Sequence, residues 1–149
     1  FFLERCRRFL YDPGISVVRD AAVATAAGEV HVMHDPTEGG VAAGLWEMAR
    51  SSGKGIEVFG HRLFCSGETA ALCGEYCIDP FGAISSGALL IAVSDDDSRK
   101  AVDSLRGAGI RAEIVGRIHD KEFGAVIRRE GVTEELRFSS KDEITKLFQ

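Results

Sequence analysis

At 149 residues, 45% hydrophobic and 28% charged, the chain has the proportions of one soluble globular domain able to bury its own core. Its net charge of −5 argues against nucleic acid or an anionic membrane as partner, and no apolar run approaches the roughly 20 residues of a spanning helix. Of the four cysteines, Cys73 and Cys77 could share a metal given a second ligand pair, but neither Cys6 nor Cys65 has a close cysteine or histidine companion at finger-like spacing, and free thiols of a cytoplasmic protein are expected.

In chain order, Phe2, Cys6 and Phe9, with Leu3 and Leu10 beside them, fit one face of a short helix. Glu4, Arg5, Arg7 and Arg8 interrupt any signal-peptide core there. The chain opens on Phe1 rather than methionine, so a fragment lacking an N-terminal partner domain is expected. After the turn Asp12-Pro13-Gly14, Ser16 can cap a helix running to about residue 26, which Gly28 ends. Residues 29–33 alternate like a strand, with Val30 and Val32 on one face. Val41, Leu45, Met48 and Ala49 stand at helical spacing over residues 41–51, and Gly53 and Gly55 break that helix. Residues 56–59 read as a second strand, and Ser66 caps a helix over 67–76. A turn-rich loop, 79–87, feeds the apolar run 88–93, expected as a central strand covered on both faces. Ser94 with Asp95, Asp96 and Asp97 opens a helix to about Arg106, and Gly107-Ala108-Gly109 stops it. Residues 110–115 are expected as a strand, 122–128 with 134–138 as a hairpin, and Ser140 with Glu143 as a capping box for a last helix. The sum is an α/β or α+β domain, a mixed β-sheet covered by helices.

The chemistry concentrates in His34-Asp35-Pro36-Thr37-Glu38-Gly39-Gly40-Val41, between a strand and a helix. A carboxylate, a hydroxyl and two glycines meet there at a helix N-terminus, where unpaired N–H groups and the dipole favour an anion. The amides around Gly39 and Gly40 are expected to face an open cleft and cradle phosphate. A plain strand–turn–helix link, with Thr37 as cap and the glycines making the turn, remains the other reading.

Elsewhere the residues favour structural roles. Asp95 to Asp97 suit the helix dipole better than Mg²⁺, and Gly53-Lys54 fails the phosphate-loop frame. His31 and His34 point to opposite faces of an extended chain, so no shared metal is expected. His34, beside Asp35, is the better ligand contact, and His61 and His119 are expected to be solvated. Cys73 and Cys77 stand one helical turn apart, and Cys73 in an apolar run reads as a buried small hydrophobe.

Two stretches, residues 34–42 and Asp79-Pro80-Phe81-Gly82-Ala83-Ile84-Ser85-Ser86-Gly87 with the apolar run to Val93, resemble the C-terminal domain of the aminoimidazole ribonucleotide (AIR) synthase superfamily. Gly116-Arg117-Ile118 fits the same pattern, and the resemblance spans roughly residues 15–130. The Asp-Pro-Thr-x-Gly-Gly form resembles the hydrogenase-maturation (HypE-like) branch and its archaeal relatives most, ahead of the purine-synthesis, thiamine-phosphate kinase and selenophosphate synthetase branches. The resemblance implies an ATP-dependent protein that activates an oxygen or transfers phosphate. An N-terminal domain, absent from this chain, would dimerise and carry most ATP and Mg²⁺ ligands, and the C-terminal domain would close the cleft. By the same resemblance Asp35 is the catalytic candidate, orienting a substrate group or a metal-bound water. His34, Thr37, Glu38, Gly39, Gly40, Asp79, Ser85, Ser86 and Gly87 are the substrate- and phosphate-binding candidates. A nucleotide and a small-molecule substrate are the implied partners, in a homodimer of the full-length protein.

Two positions depart from the hydrogenase-maturation branch. Glu38 stands where that branch usually shows arginine, and the chain ends Ile144-Thr145-Lys146-Leu147-Phe148-Gln149 without the branch's terminal cysteine. The expectation therefore rests on the superfamily, with a true hydrogenase-maturation fragment or a non-catalytic association domain as alternatives.

Overall fold

A computed structural model of the chain describes residues 1–137, 139 and 141–148. Among the described residues, the α-helices and β-strands follow one another as α1 (Phe2–Arg8), α2 (Val18–Ala27), β1 (Val30–His34), α3 (Gly40–Ser52), β2 (Gly55–Phe59), α4 (Gly67–Glu75), β3 (Leu90–Val93), α5 (Asp95–Gly107), β4 (Gly116–His119), β5 (Ala125–Arg129) and β6 (Val132–Glu135). Short 3₁₀ turns occupy Gly60–Arg62, Lys121–Phe123 and Glu143–Phe148.

The strands form two sheets rather than one. β1 and β3 pair antiparallel, and a second sheet runs β4-β2-β5-β6, with β2 and β5 parallel and the other pairs antiparallel. Helix α3 touches β1, β3 and β2, so it ties the two sheets together. Its inner face gives Leu45, Met48 and Ala49 to a core completed by Ile56 and Val58 of β2, Leu90 of β3, Ile127 of β5 and Leu136. These are the positions that the helical spacing of residues 41–51 marked as apolar. Each fully buried aliphatic side chain there stabilises the fold by about 1.5–3 kcal/mol relative to exposure.

Capping is legible where the side chain is local. Ser66 Oγ accepts from the Thr69 N–H at 3.1 Å and Ser94 Oγ from the Asp97 N–H at 3.2 Å. The Asp97 carboxylate is used internally, taking the Ser94 hydroxyl at 3.2 Å and the Glu29 N–H at 3.4 Å. At α2 the expectation fails. The helix starts at Val18 with Val17 before it, and Ser16 makes no cap.

Three further expectations are corrected. The apolar run 88–93 yields only the four-residue β3, paired with β1 alone, because its neighbours in space are α3 and β1 rather than two strands. Residues 110–115 form no strand, the Val115 carbonyl alone accepting a backbone bond from the Phe59 N–H at 2.8 Å, and the strand comes later, at β4. Helix α4 ends at Glu75 and Cys77 has φ 54°, so Cys73 and Cys77 do not share a helical turn. The hairpin is present as β5 and β6, shifted from 122–128 and 134–138. Phe138 at its expected end and Ser140 of the expected capping box lie outside the described residues.

β2 also carries Glu57, a carboxylate only 9% exposed. Arg128 from β5 pairs with its Oε1 at 2.6 Å and the His119 Nε2 from β4 lies 3.1 Å from its Oε2, so both carboxylate oxygens have a partner. His119 stacks on Phe123 with ring centroids 4.0 Å apart, which corrects its reading as a solvated loop residue.

Candidate functional site

The turn between β1 and α3 is fixed by one proline and two glycines. Pro36 is fully buried, and Gly44 on α3 leaves room for it: a Cβ there would stand 2.8 Å from Pro36 Cβ. Gly39 and Gly40 both adopt left-handed backbone, φ 73° and 63°, which L side chains rarely take. A Cβ on Gly40 would also strike the carbonyl oxygens of Phe81 and Ala83. The pair of glycines thus serves the close approach of loop 79–87 as well as the turn itself.

The amides of this turn do not face an open cleft. Gly39 N–H donates to Asp142 Oδ2 at 2.7 Å, Gly40 N–H to the Thr37 carbonyl at 3.1 Å, and Ala42 N–H to the Phe81 carbonyl at 2.9 Å. The physical preference behind the expectation survives in altered form, because a helix N-terminus attracts an anion and Asp142 of the same chain supplies it. Thr37 makes no side-chain cap, since Gly39 holds the cap position.

The side chains on the turn point outward instead. Asp35, Thr37 and Glu38 are exposed while Gly39 and Gly40 beneath them are buried. His34 is half-buried, its Nε2 2.7 Å from Glu47 Oε2. Loop 79–87 lies alongside: Ser85 Oγ donates to the Pro36 carbonyl at 2.6 Å and Ser85 N–H to the Thr37 carbonyl at 3.3 Å. Asp79 Oδ1 accepts from the Phe81 N–H at 2.9 Å, and its other oxygen lies 3.7 Å from Arg129. Ser86 is exposed, and Gly87 packs against Gly14 and Ile15 rather than against the turn. The structure therefore brings residues 34–40 together with Asp79 and Ser85, and turns Gly87 toward the N-terminal segment.

Sequence reasoning missed Asp142 and the role of Glu143. Glu143 Oε2 accepts from the Asp79 N–H at 3.1 Å, its own N–H donates to the Gly82 carbonyl at 3.0 Å, and Lys146 binds the same carboxylate. The Lys146 bond first, then the Asp79 N–H, holds this carboxyl below the ordinary glutamate range. Residues 142–143 thus join the turn and loop 79–87. No local pattern signals it, because the bond from Asp142 to Gly39 spans 103 positions.

Burial and the Asp79 carboxylate raise the pKa of Cys65. Burial, then Cys65 and the Asp79 and Glu143 carboxylates, do the same for Cys73. Cys73 is buried, as its apolar run suggested.

The family of AIR synthase related proteins, C-terminal domain, matches residues 13–128. The chain belongs to that family. A protein of Methanocaldococcus jannaschii named for hydrogenase expression/formation is 33% identical over 101 residues, covering 66% of this chain and 30% of its own length. A carbamoyl dehydratase HypE of Rhodobacter capsulatus is 30% identical over 111 residues, covering 73% of this chain and 33% of its own. The AIR synthase related domain described here thus spans about a third of the curated relatives it matches. Among solved structures, a HypE–HypF complex superimposes with TM-score 0.72 at 26% identity, over 84% of this chain and 41% of that one. The hydrogenase maturation protein HypE of E. coli superimposes with TM-score 0.76 over 88% of this chain and 42% of that one, and at 22% identity it shows the shared fold. The chain is thus HypE-like within the family, and the expected AIR synthase C-terminal fold is the one observed.

Proposed function

We propose that this domain is the C-terminal part of an ATP-dependent, HypE-like protein, and that it lends the exposed side chains of Asp35, Thr37 and Glu38 to a nucleotide cleft completed by a preceding domain. One observation supports this most: the turn buries its glycines and its proline yet leaves a carboxylate, a hydroxyl and a second carboxylate exposed together, in the family that matches the chain. A hydrogenase maturation protein HypE solved in complex with ATP shares the fold, with TM-score 0.71.

In this reading Asp35 orients a substrate group or a metal-bound water and Thr37 donates to a phosphate oxygen, while Mg²⁺ is held mainly by the other domain. The turn offers side chains rather than amides, because the Gly39 N–H already holds Asp142. Replacing Asp35 by Asn or Thr37 by Ala in the full-length parent is expected to lower ATP turnover about 100-fold or more, with the fold unchanged by circular dichroism. Turnover equal to the parent's in both variants would remove the proposal.

The internally bonded amides favour a second reading, in which the turn is purely structural and the domain serves association. That reading predicts unchanged turnover in the same variants, so one experiment separates the two.

A further inference from the structure

Sharing no residue with the turn, a groove of about 930 Å³ runs between residues 61–65, which follow β2, and residues 106–113, which end and follow α5. Its walls carry His61, Arg62, Arg106 and Arg111 against a single acid, Glu113, on a chain whose net charge is −5. Arg106 is already satisfied, bound to Glu113 at 2.8 Å and to the Ala112 carbonyl at 3.0 Å. Arg62 and Arg111 have no carboxylate partner among the described residues.

Both free guanidiniums are nevertheless held in place. Arg111 lies 4.0 Å from the centroid of the Phe64 ring and Arg62 lies 5.2 Å from that of Phe59. Arg62 gives one N–H to the Ile114 carbonyl at 3.4 Å, and Arg111 gives none to a described acceptor. A guanidinium stacked on a ring keeps its donor edge open and loses less freedom when it binds a planar or tetrahedral oxyanion. Phe64 remains 60% exposed despite carrying Arg111, an apolar surface beside the cationic one.

We infer that this groove binds a phosphate monoester with a planar or apolar body, Arg62 and Arg111 taking the phosphate with His61 beside them and Phe64 taking the body. Size fits as well, since small-molecule sites span about 300–1,000 Å³. The groove joins two arginines without a carboxylate partner among the described residues to an exposed aromatic ring, and neither part would recognise a neutral ligand or a bare ion as well as the two together.

Phenyl phosphate, inorganic phosphate and phenol, titrated at matched ionic strength into the ¹⁵N-labelled chain, test this. Phenyl phosphate should saturate, with shifts confined to residues 59–65 and 106–115, and should bind about tenfold tighter than inorganic phosphate, while phenol gives no saturable shift. Arg62→Gln and Arg111→Gln should each weaken phenyl phosphate about tenfold, and Arg50→Gln, an exposed arginine on α3 outside the groove, should leave it unchanged. Should Arg111→Gln not fold, Arg111→Lys keeps the charge without the fork and should still weaken binding. The inference is overturned by non-saturable phenyl phosphate, by shifts centred on residues 34–41, by inorganic phosphate binding as tightly, or by parent-like affinity in the folded arginine variants.

Discussion

At the scale of single residues, the two glycines of the turn show how one motif supports two readings. Gly-Gly before a helix is compatible with a phosphate seat, and equally with a left-handed turn that admits a neighbouring loop. The carbonyls of Phe81 and Ala83 over Gly40 decide what the glycine does inside this domain. Gly40→Ala adds both a strained φ and a collision, and is expected to cost about 2 kcal/mol or more. Gly53, with φ 64° and open space around its would-be Cβ, carries the strain alone, so Gly53→Ala should cost about 1 kcal/mol. Urea denaturation of the two variants measures the difference, and equal losses would contradict the close approach described here. Local signals such as the Ser66 and Ser94 caps were legible in the sequence because donor and acceptor lie within three residues. Glu57 was not, because its partners Arg128 and His119 reach it across separate strands.

Among elements, the same divide holds. The amphipathic pattern of α3 and the acid-rich start of α5 carry their own information and were read correctly within a residue or two. The run 88–93 and the segment 110–115 were misread because strand pairing depends on what lies alongside, and periodicity cannot supply that. Asp142 and the 3₁₀ turn Glu143–Phe148 that follows it are the clearest such case, since the contact of Asp142 to the turn and that of Glu143 to loop 79–87 arise only in the folded chain. Its chemistry gives a pH prediction. Glu143 has its carboxyl lowered by Lys146 and the Asp79 N–H, so the ionised form favours the folded state. That contribution is complete above the ordinary glutamate range and fades as pH falls through the lowered value. Glu143→Gln should therefore be less stable than the parent at pH 7, with the gap narrowing below about pH 4. Thermal melts across pH 3 to 7 test this, and a gap independent of pH would contradict it.

For the whole molecule, the family was legible because two sequence stretches that resemble it also meet in space, residues 34–42 beside loop 79–87. The state of the cleft was not, because it depends on Asp142 and, in the proposal, on a domain outside this chain. No described helix is long and apolar enough to cross a membrane. Exposed Phe1, Leu3, Leu10, Tyr11 and Val18 concentrate apolar surface in the N-terminal segment, beside the start of the matched region at residue 13. The most direct test is a calorimetric titration of Mg-ATP into this 149-residue chain alongside its full-length parent. The account predicts saturable binding by the parent and no micromolar binding by the chain, whose turn amides are occupied. Micromolar binding by the chain alone, or none by the parent, would contradict it.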